Sequence, residues 1–99
     1  MVIVTAQIQA RLDTVDELRR LGLEHAARSR GEPGCLEYGV SIDANDGLRL
    51  VFFARWADRA VFEAHLGQPA SGEFAAALAR CAVHAPEIVV YEASEPAVR

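Results

Sequence analysis

Trp56 and His65 bracket the chemistry on offer in the stretch Leu50 to Leu66, LVFFARWADRAVFEAHL. Its first half reads as a long apolar strand running into Trp56. Its second half reads as an amphipathic helix that carries His65 about two turns in, after a short turn at Ala57 and Asp58. That turn brings both side chains to one pocket between a sheet and its covering helix. An imidazole takes or gives a proton near neutrality, whereas an indole N–H only donates a hydrogen bond. The pair suits a site that moves a proton and steadies the charge left behind.

Other chemistries find little support. The chain holds no Gly-x-Gly-x-x-Gly fingerprint and no histidine, cysteine or carboxylate set at metal-ligand spacing. Its three histidines, His25, His65 and His84, fall on separate elements. His25 and His84 read as structural. Cys35 and Cys81 stand far apart without a second pair, which reads as two buried thiols rather than a disulfide framework or zinc site. A net charge of -4, with all ten basic residues arginine and scattered, argues against nucleic acid as a partner. No long apolar span points to a membrane, and the cytoplasm is the expected compartment. Ninety-nine residues make one domain, read here as residues 1–93 with a frayed tail over 94–99.

The elements that must position the pair follow from periodicity. Val2 to Gln9 alternates as a first strand. Thr14-x-x-Glu17 has the form of a capping box, so a helix starts there with Val15, Leu18, Leu21 or Gly22, and His25 inward. It ends in Ser29-Arg30-Gly31-Glu32-Pro33-Gly34. Cys35 to Asp43 is the second strand, with Leu36, Tyr38, Val40 and Ile42 on one face. The Asp46-Gly47 pair marks a tight hairpin into a third strand, Leu48 to Trp56. There Leu50, Phe52, Ala54 and Trp56 share a face, and Arg49, Val51, Phe53 and Arg55 share the other. Asp58 caps the second helix, whose apolar turn includes Val61, Phe62, His65 and Leu66. Gly67-Gln68-Pro69 interrupts it, Ala70-Ser71-Gly72 links onward, and Glu73 to Ala82 resumes as a helix with Phe74, Ala77, Leu78 and Cys81 inward. The last strand spans about Pro86 to Glu92. Strand, helix, strand, strand, broken helix, strand is the split βαβ plan of an α+β, ferredoxin-like domain with a four-stranded antiparallel sheet. Large apolar groups on both faces of the third strand require a cover on each side. Helices supply one, and a second copy of the chain is the simplest source of the other.

At these residues the chain resembles the antibiotic biosynthesis monooxygenase family, small ferredoxin-like proteins that pair into a dimeric α/β barrel. Glu32-Pro33-Gly34-Cys35-Leu36-x-Tyr38 is similar to the family's E-x-G-C-L-x-Y entry to strand two. Trp56-x-Asp58, then Ala60-x-Phe62-x-x-His65-Leu66 and Pro69, is similar to its W-x-D…A-x-F-x-x-H-L…P segment. Two positions depart: Ala54 stands where members usually carry an acidic residue, and Ala70 where they often carry a histidine.

The resemblance implies oxygenation of an electron-rich aromatic, such as a hydroquinone, an anthrone or a polyketide-like ring, by dioxygen without flavin, haem or metal. On that reading the partners are a small aromatic and dioxygen, and the chain works as a homodimer. His65, Trp56 and Tyr38 are then the catalytic candidates, and Phe52, Ala54, Phe62 and Leu66 the substrate-binding wall. Proton transfer from a phenol to a free histidine is uphill by about 5 kcal/mol. The indole N–H and the Tyr38 hydroxyl must therefore stabilise the oxyanion. Arg55 carries the right charge but alternates away from Trp56, and Arg49 and Arg55 read as interface or rim residues. The competing reading is a dimeric barrel that binds a small apolar molecule or a partner without turnover. Haem degradation would need a histidine after Pro69, and Ala70 to Ala82 contains none.

Overall fold

Alternating side chains give each strand one face that must leave water. In the computed structural model, which describes residues 1–95, four such strands form one antiparallel sheet. In chain order the elements are β1 (Val2–Gln9), α1 (Val15–Arg30), β2 (Cys35–Asp43), β3 (Asp46–Trp56), α2 (Arg59–Leu66), α3 (Pro69–Cys81) and β4 (Glu87–Glu92). The strand order is β2-β3-β1-β4, so β3 and β1 lie side by side at the centre. This is the expected α+β, ferredoxin-like arrangement.

Register decides which side chains meet. On β1, Val4, Ala6 and Ile8 stand opposite Ala54, Phe52 and Leu50 of β3, and Val4 and Ala6 stand opposite Val90 and Ile88 of β4. Val2, Ile8, Leu50, Phe52, Ala54 and Trp56 are all buried on the helix side. Each large one contributes about 1.5–3 kcal/mol by leaving water. Gly22 lets α1 lie close on the sheet, since a Cβ there would stand 3.0 Å from the Phe52 ring. The core divides into two clusters. One gathers Ile8, Leu18, Leu50, Phe52, Leu78 and Cys81, and the other Val2, Ala54, Trp56 and Phe62; Tyr38 packs against both.

Four local expectations are corrected. No capping box forms, because the Thr14 hydroxyl donates to the Cys81 carbonyl at 2.7 Å and Glu17 pairs instead with Arg80. The hairpin turns at Ala44-Asn45, with Asp43 paired to Asp46, so β3 begins before Gly47. Asp43 and Asp46 each accept a backbone N–H two residues on, which holds that turn. A bulge in β2 places Cys35 opposite Trp56 and Glu37 opposite Arg55, and Leu36 is turned out to 51% exposure. Finally, Ala70-Ser71-Gly72 is helical rather than a link, since α3 starts at Pro69, where a proline's missing N–H costs nothing. Ser94 and Glu95 carry no regular structure, and the rest of the expected frayed tail, 96–99, lies outside the described residues.

The other face of the sheet presents Ile3, Thr5, Val51, Phe53, Arg55, Val89 and Tyr91. Among the described residues no helix covers it, and Phe53 and Tyr91 are 36% and 51% exposed. No helix of the described residues is long and apolar enough to cross a membrane.

Candidate active site

Between the two core clusters lies a cavity of about 160 Å³. Its walls are almost entirely apolar. Tyr38, Phe52, Ala54, Trp56, Phe62, His65 and Leu66 all line it, joined by Val4, Ala6 and Ile8 of β1, Phe74 and Leu78 of α3, and Pro86 and Ile88 near β4. The Trp56 and His65 rings stand 4.5 Å apart at 34°, and the Tyr38 ring lies 6.4 Å from the indole and 5.9 Å from the imidazole.

His65 is held from several directions. Asp58 accepts the Val61 N–H at 2.9 Å and so starts α2. The Ser71 hydroxyl donates to the His65 carbonyl at 2.6 Å and ties α2 to α3. The imidazole is 5% exposed, and its Nδ1 lies 3.1 Å from both carboxylate oxygens of Glu32. A carboxylate only accepts, so the partner assigns the proton to Nδ1 and leaves Nε2 with a lone pair and no partner among the described residues. An imidazole held in this way can accept a proton at Nε2.

His25 has the opposite tautomer. Arg28 Nη2 lies 3.0 Å from its Nδ1, and a guanidinium only donates, so Nδ1 accepts and the proton sits on Nε2. The ring stacks on Phe74 at 4.2 Å and stands 5.3 Å from His65. Burial, then the neighbouring His65 and Arg28, push it down to about 4. Burial, then Cys35 and Glu32, push the Tyr38 phenol up to about 12, so it is a donor and never a base near neutrality. The Tyr38 and Trp56 rings meet edge to face at 6.4 Å, and no buried side-chain polar atom among the described residues is left unsatisfied.

The sequence reading gave Glu32 no contact with His65, although it stood in the quoted motif. It also left His25 as a structural residue and gave Ser71 no role. Ala54 puts a methyl group on the cavity wall where the resemblance leads one to expect a carboxylate, and Glu32 brings a carboxylate to His65 from the α1–β2 turn. Ala70 does not line the cavity. Arg55 pairs with Glu37 at 2.8 Å and Arg49 with Asp43 and Asp46, so neither reaches the pocket. His84 is exposed. Both cysteines are free, but Cys35 is half-buried rather than buried, and burial pushes its thiol up. Among the described residues, no three His, Cys, Asp or Glu side chains gather as a metal site would need.

Gly34 lets the turn after Glu32 pass close to α2. Its φ is +80°, and a Cβ there would stand 2.6–2.8 Å from three side-chain carbons of Val61 on α2. Its carbonyl also accepts the Ala57 N–H at 2.8 Å. Gly34→Ala is expected to destabilise the protein by about 2–4 kcal/mol in urea unfolding, combining left-handed backbone strain with overpacking against α2. An unchanged midpoint would show that the turn yields easily.

A family model described as antibiotic biosynthesis monooxygenase matches residues 1–77. The structure is similar to that of a provisional antibiotic biosynthesis monooxygenase from Deinococcus radiodurans, with 29% identity, 100% of this chain and 98% of that one covered, and a TM-score of 0.93. It is also similar to that of a Mycobacterium tuberculosis protein, with 27% identity, 98% of each chain covered and a TM-score of 0.89. An uncharacterised protein of Synechocystis sp. is 28% identical over 94 residues, which are 95% of this chain. The chain spans 64% of the length of that curated relative.

Proposed function

Because the chain belongs to the antibiotic biosynthesis monooxygenase family, we propose that its cavity binds an electron-rich hydroxy-aromatic and lets dioxygen oxidise it, with no flavin, haem or metal. The observation that carries this reading is the Glu32–His65 pair in an apolar hollow, with Nε2 without a partner among the described residues and the Trp56 and Tyr38 rings 4.5 Å and 5.9 Å from the imidazole.

His65 Nε2 takes the substrate proton, and Glu32 holds the imidazolium that results. Tyr38 and Trp56 donate to the oxyanion, which offsets the uphill transfer because such bonds are strong where water is excluded. The anion, far more reducing than the neutral ring, passes electrons to dioxygen. For a methylene centre activated by the ring, R₂CH₂ + O₂ → R₂C=O + H₂O balances: one oxygen atom enters the product, the other leaves in water, and the substrate supplies all four electrons. His65 returns its proton to the peroxide before water departs. Ala54 and Ala70 favour the alternative of a barrel that only binds. Oxygen uptake with a panel of hydroquinones, anthrones and para-alkylphenols separates the two: tight binding of an aromatic with no uptake from any of them would leave the binding module.

The bare sheet face supports a homodimer. An antiparallel sheet that faces water alternates polar residues there, whereas Ile3, Val51, Phe53, Val89 and Tyr91 form an apolar patch. A second copy buries it by two-fold symmetry. Phe53 lies on a central strand, opposite Thr5 and Gly39. Phe53→Glu is expected to convert a dimer to a monomer in sedimentation, through a like-charge pair at the middle of the contact. A parent protein that sediments as a monomer would end the proposal.

A further inference from the structure

The shape and polarity of the cavity narrow the ligand further, on the reading that this cavity is the substrate site. Three consecutive inward residues of β1, Val4, Ala6 and Ile8, form its floor, which at strand spacing is about 14 Å long. A volume of about 160 Å³ spread over that length makes a slot, not a chamber. An engineered cavity in another protein of about 150 Å³ holds one benzene, so one ring fits here and three fused rings do not.

Polar groups gather around His65: Tyr38, Trp56 and His65 share the Ala54 end of the slot, and the Ser71 hydroxyl is spent on the His65 carbonyl, while Ile8 and Leu78 wall the other end with carbon. A second hydroxyl across the ring would meet no partner there, and a buried polar group without one is costly. No Arg, Asp or Glu lines the slot, and the chain has no Lys, so a carboxylated ring would lose its water without gaining a counter-charge. Leu66 and Ile88 line the cavity and are also 58% and 56% exposed, which makes them its rim. An apolar rim receives an apolar chain.

We infer that the site takes a single-ring phenol bearing one uncharged apolar chain, with the hydroxyl at His65, the ring against Trp56 and the chain running along Ala6 towards the Leu66–Ile88 rim. Trp56 is the one tryptophan of the chain, so its fluorescence reports occupancy directly. Titration with phenol, para-cresol, para-butylphenol and para-hexylphenol is expected to show binding tightening about twofold to fourfold per enclosed methylene. Anthrone and para-hydroxybenzoate are expected to bind at least about tenfold more weakly than para-hexylphenol. Ala6→Leu narrows the slot, and Ile88→Glu charges an exposed rim position. Each is expected to lower the ratio of hexylphenol to phenol affinity about tenfold. Affinity independent of chain length, or anthrone or the carboxylate binding as tightly as hexylphenol, overturns the inference. The assay needs no turnover, so chain-length-dependent quenching without oxygen uptake would remove the oxygenase reading and keep this one.

Discussion

Oxygen uptake by a His65→Gln variant is expected to fall by about two to four orders of magnitude, the range that a positioned general base contributes. Glutamine occupies similar space and keeps a polar end, but it takes no proton near neutrality. Glu32→Gln tests the orientation of the base separately. A glutamine amide facing Nδ1 can donate as well as accept, and a donating amide moves the imidazole proton to Nε2, which then has no lone pair for the substrate. Replacing a carboxylate that fixes a catalytic imidazole costs up to about 10⁴-fold where it is fully buried. Glu32 keeps 21% of its side-chain surface exposed, so solvent softens the effect and about a 100-fold loss is expected. Because the two residues act as a unit, the double variant is expected to be no slower than His65→Gln alone. Losses that multiply would show that Glu32 acts apart from His65, and a Glu32→Gln rate equal to the parent's would show that it is only a surface partner. Unfolding midpoints of both variants, measured alongside, separate lost chemistry from lost fold.

How much of this was legible beforehand depended on the range of the interactions involved. Trp56 and His65 could be placed on one wall because strand, turn, Asp58 cap and helix are contiguous, and each is specified by its own few residues. Face assignments of β1 and β3 followed from strict alternation. Glu32 was different: its partner lies 33 positions away, and nothing in the spacing tells a carboxylate in the α1–β2 turn which helix it will meet. The motif that begins at Glu32 was a hint, but it names no neighbour for the carboxylate. Thr14 shows the same limit in reverse. Its local capping signal lost to a distant acceptor, the Cys81 carbonyl, once α3 had packed against α1. The outward turn of Leu36 depended on a bulge that pairs Cys35 with Trp56, a matter of register between two strands. His25 was correctly placed on the inward stripe, but its nearness to His65 depends on how α1 and α2 meet over the sheet.

His25 also gives the protein an acid sensitivity of its own. Its imidazole titrates near 6.5 in an unfolded chain and is held down to about 4 in the fold, chiefly by burial and next by His65 and Arg28. Below 6.5 the unfolded state therefore binds a proton that the native state refuses, so stability rises with pH across this window. The contribution is fully present above 6.5 and is lost as pH falls towards 4, where it amounts to about 3 kcal/mol. The groups facing the ring are Arg28 on its own helix, Tyr38 on β2, His65 on α2 with Glu32 behind it, and Phe74 on α3. Urea unfolding at pH 7 and pH 4 is expected to show a difference about 3 kcal/mol smaller in His25→Phe than in the parent, since phenylalanine keeps the stack on Phe74 and cannot titrate. Carboxylates titrate in the same range, but they do so in both proteins and cancel in the comparison. Arg28→Met is expected to keep most of the slope, because burial outweighs the guanidinium as its cause. Equal slopes in parent and His25→Phe would mean that the ring takes its proton without unfolding, and two neighbouring imidazoles would then compete for charge. A His25 that stays neutral leaves His65 as the one imidazole of the pair free to accept a proton, and that selectivity is what a single-base site requires.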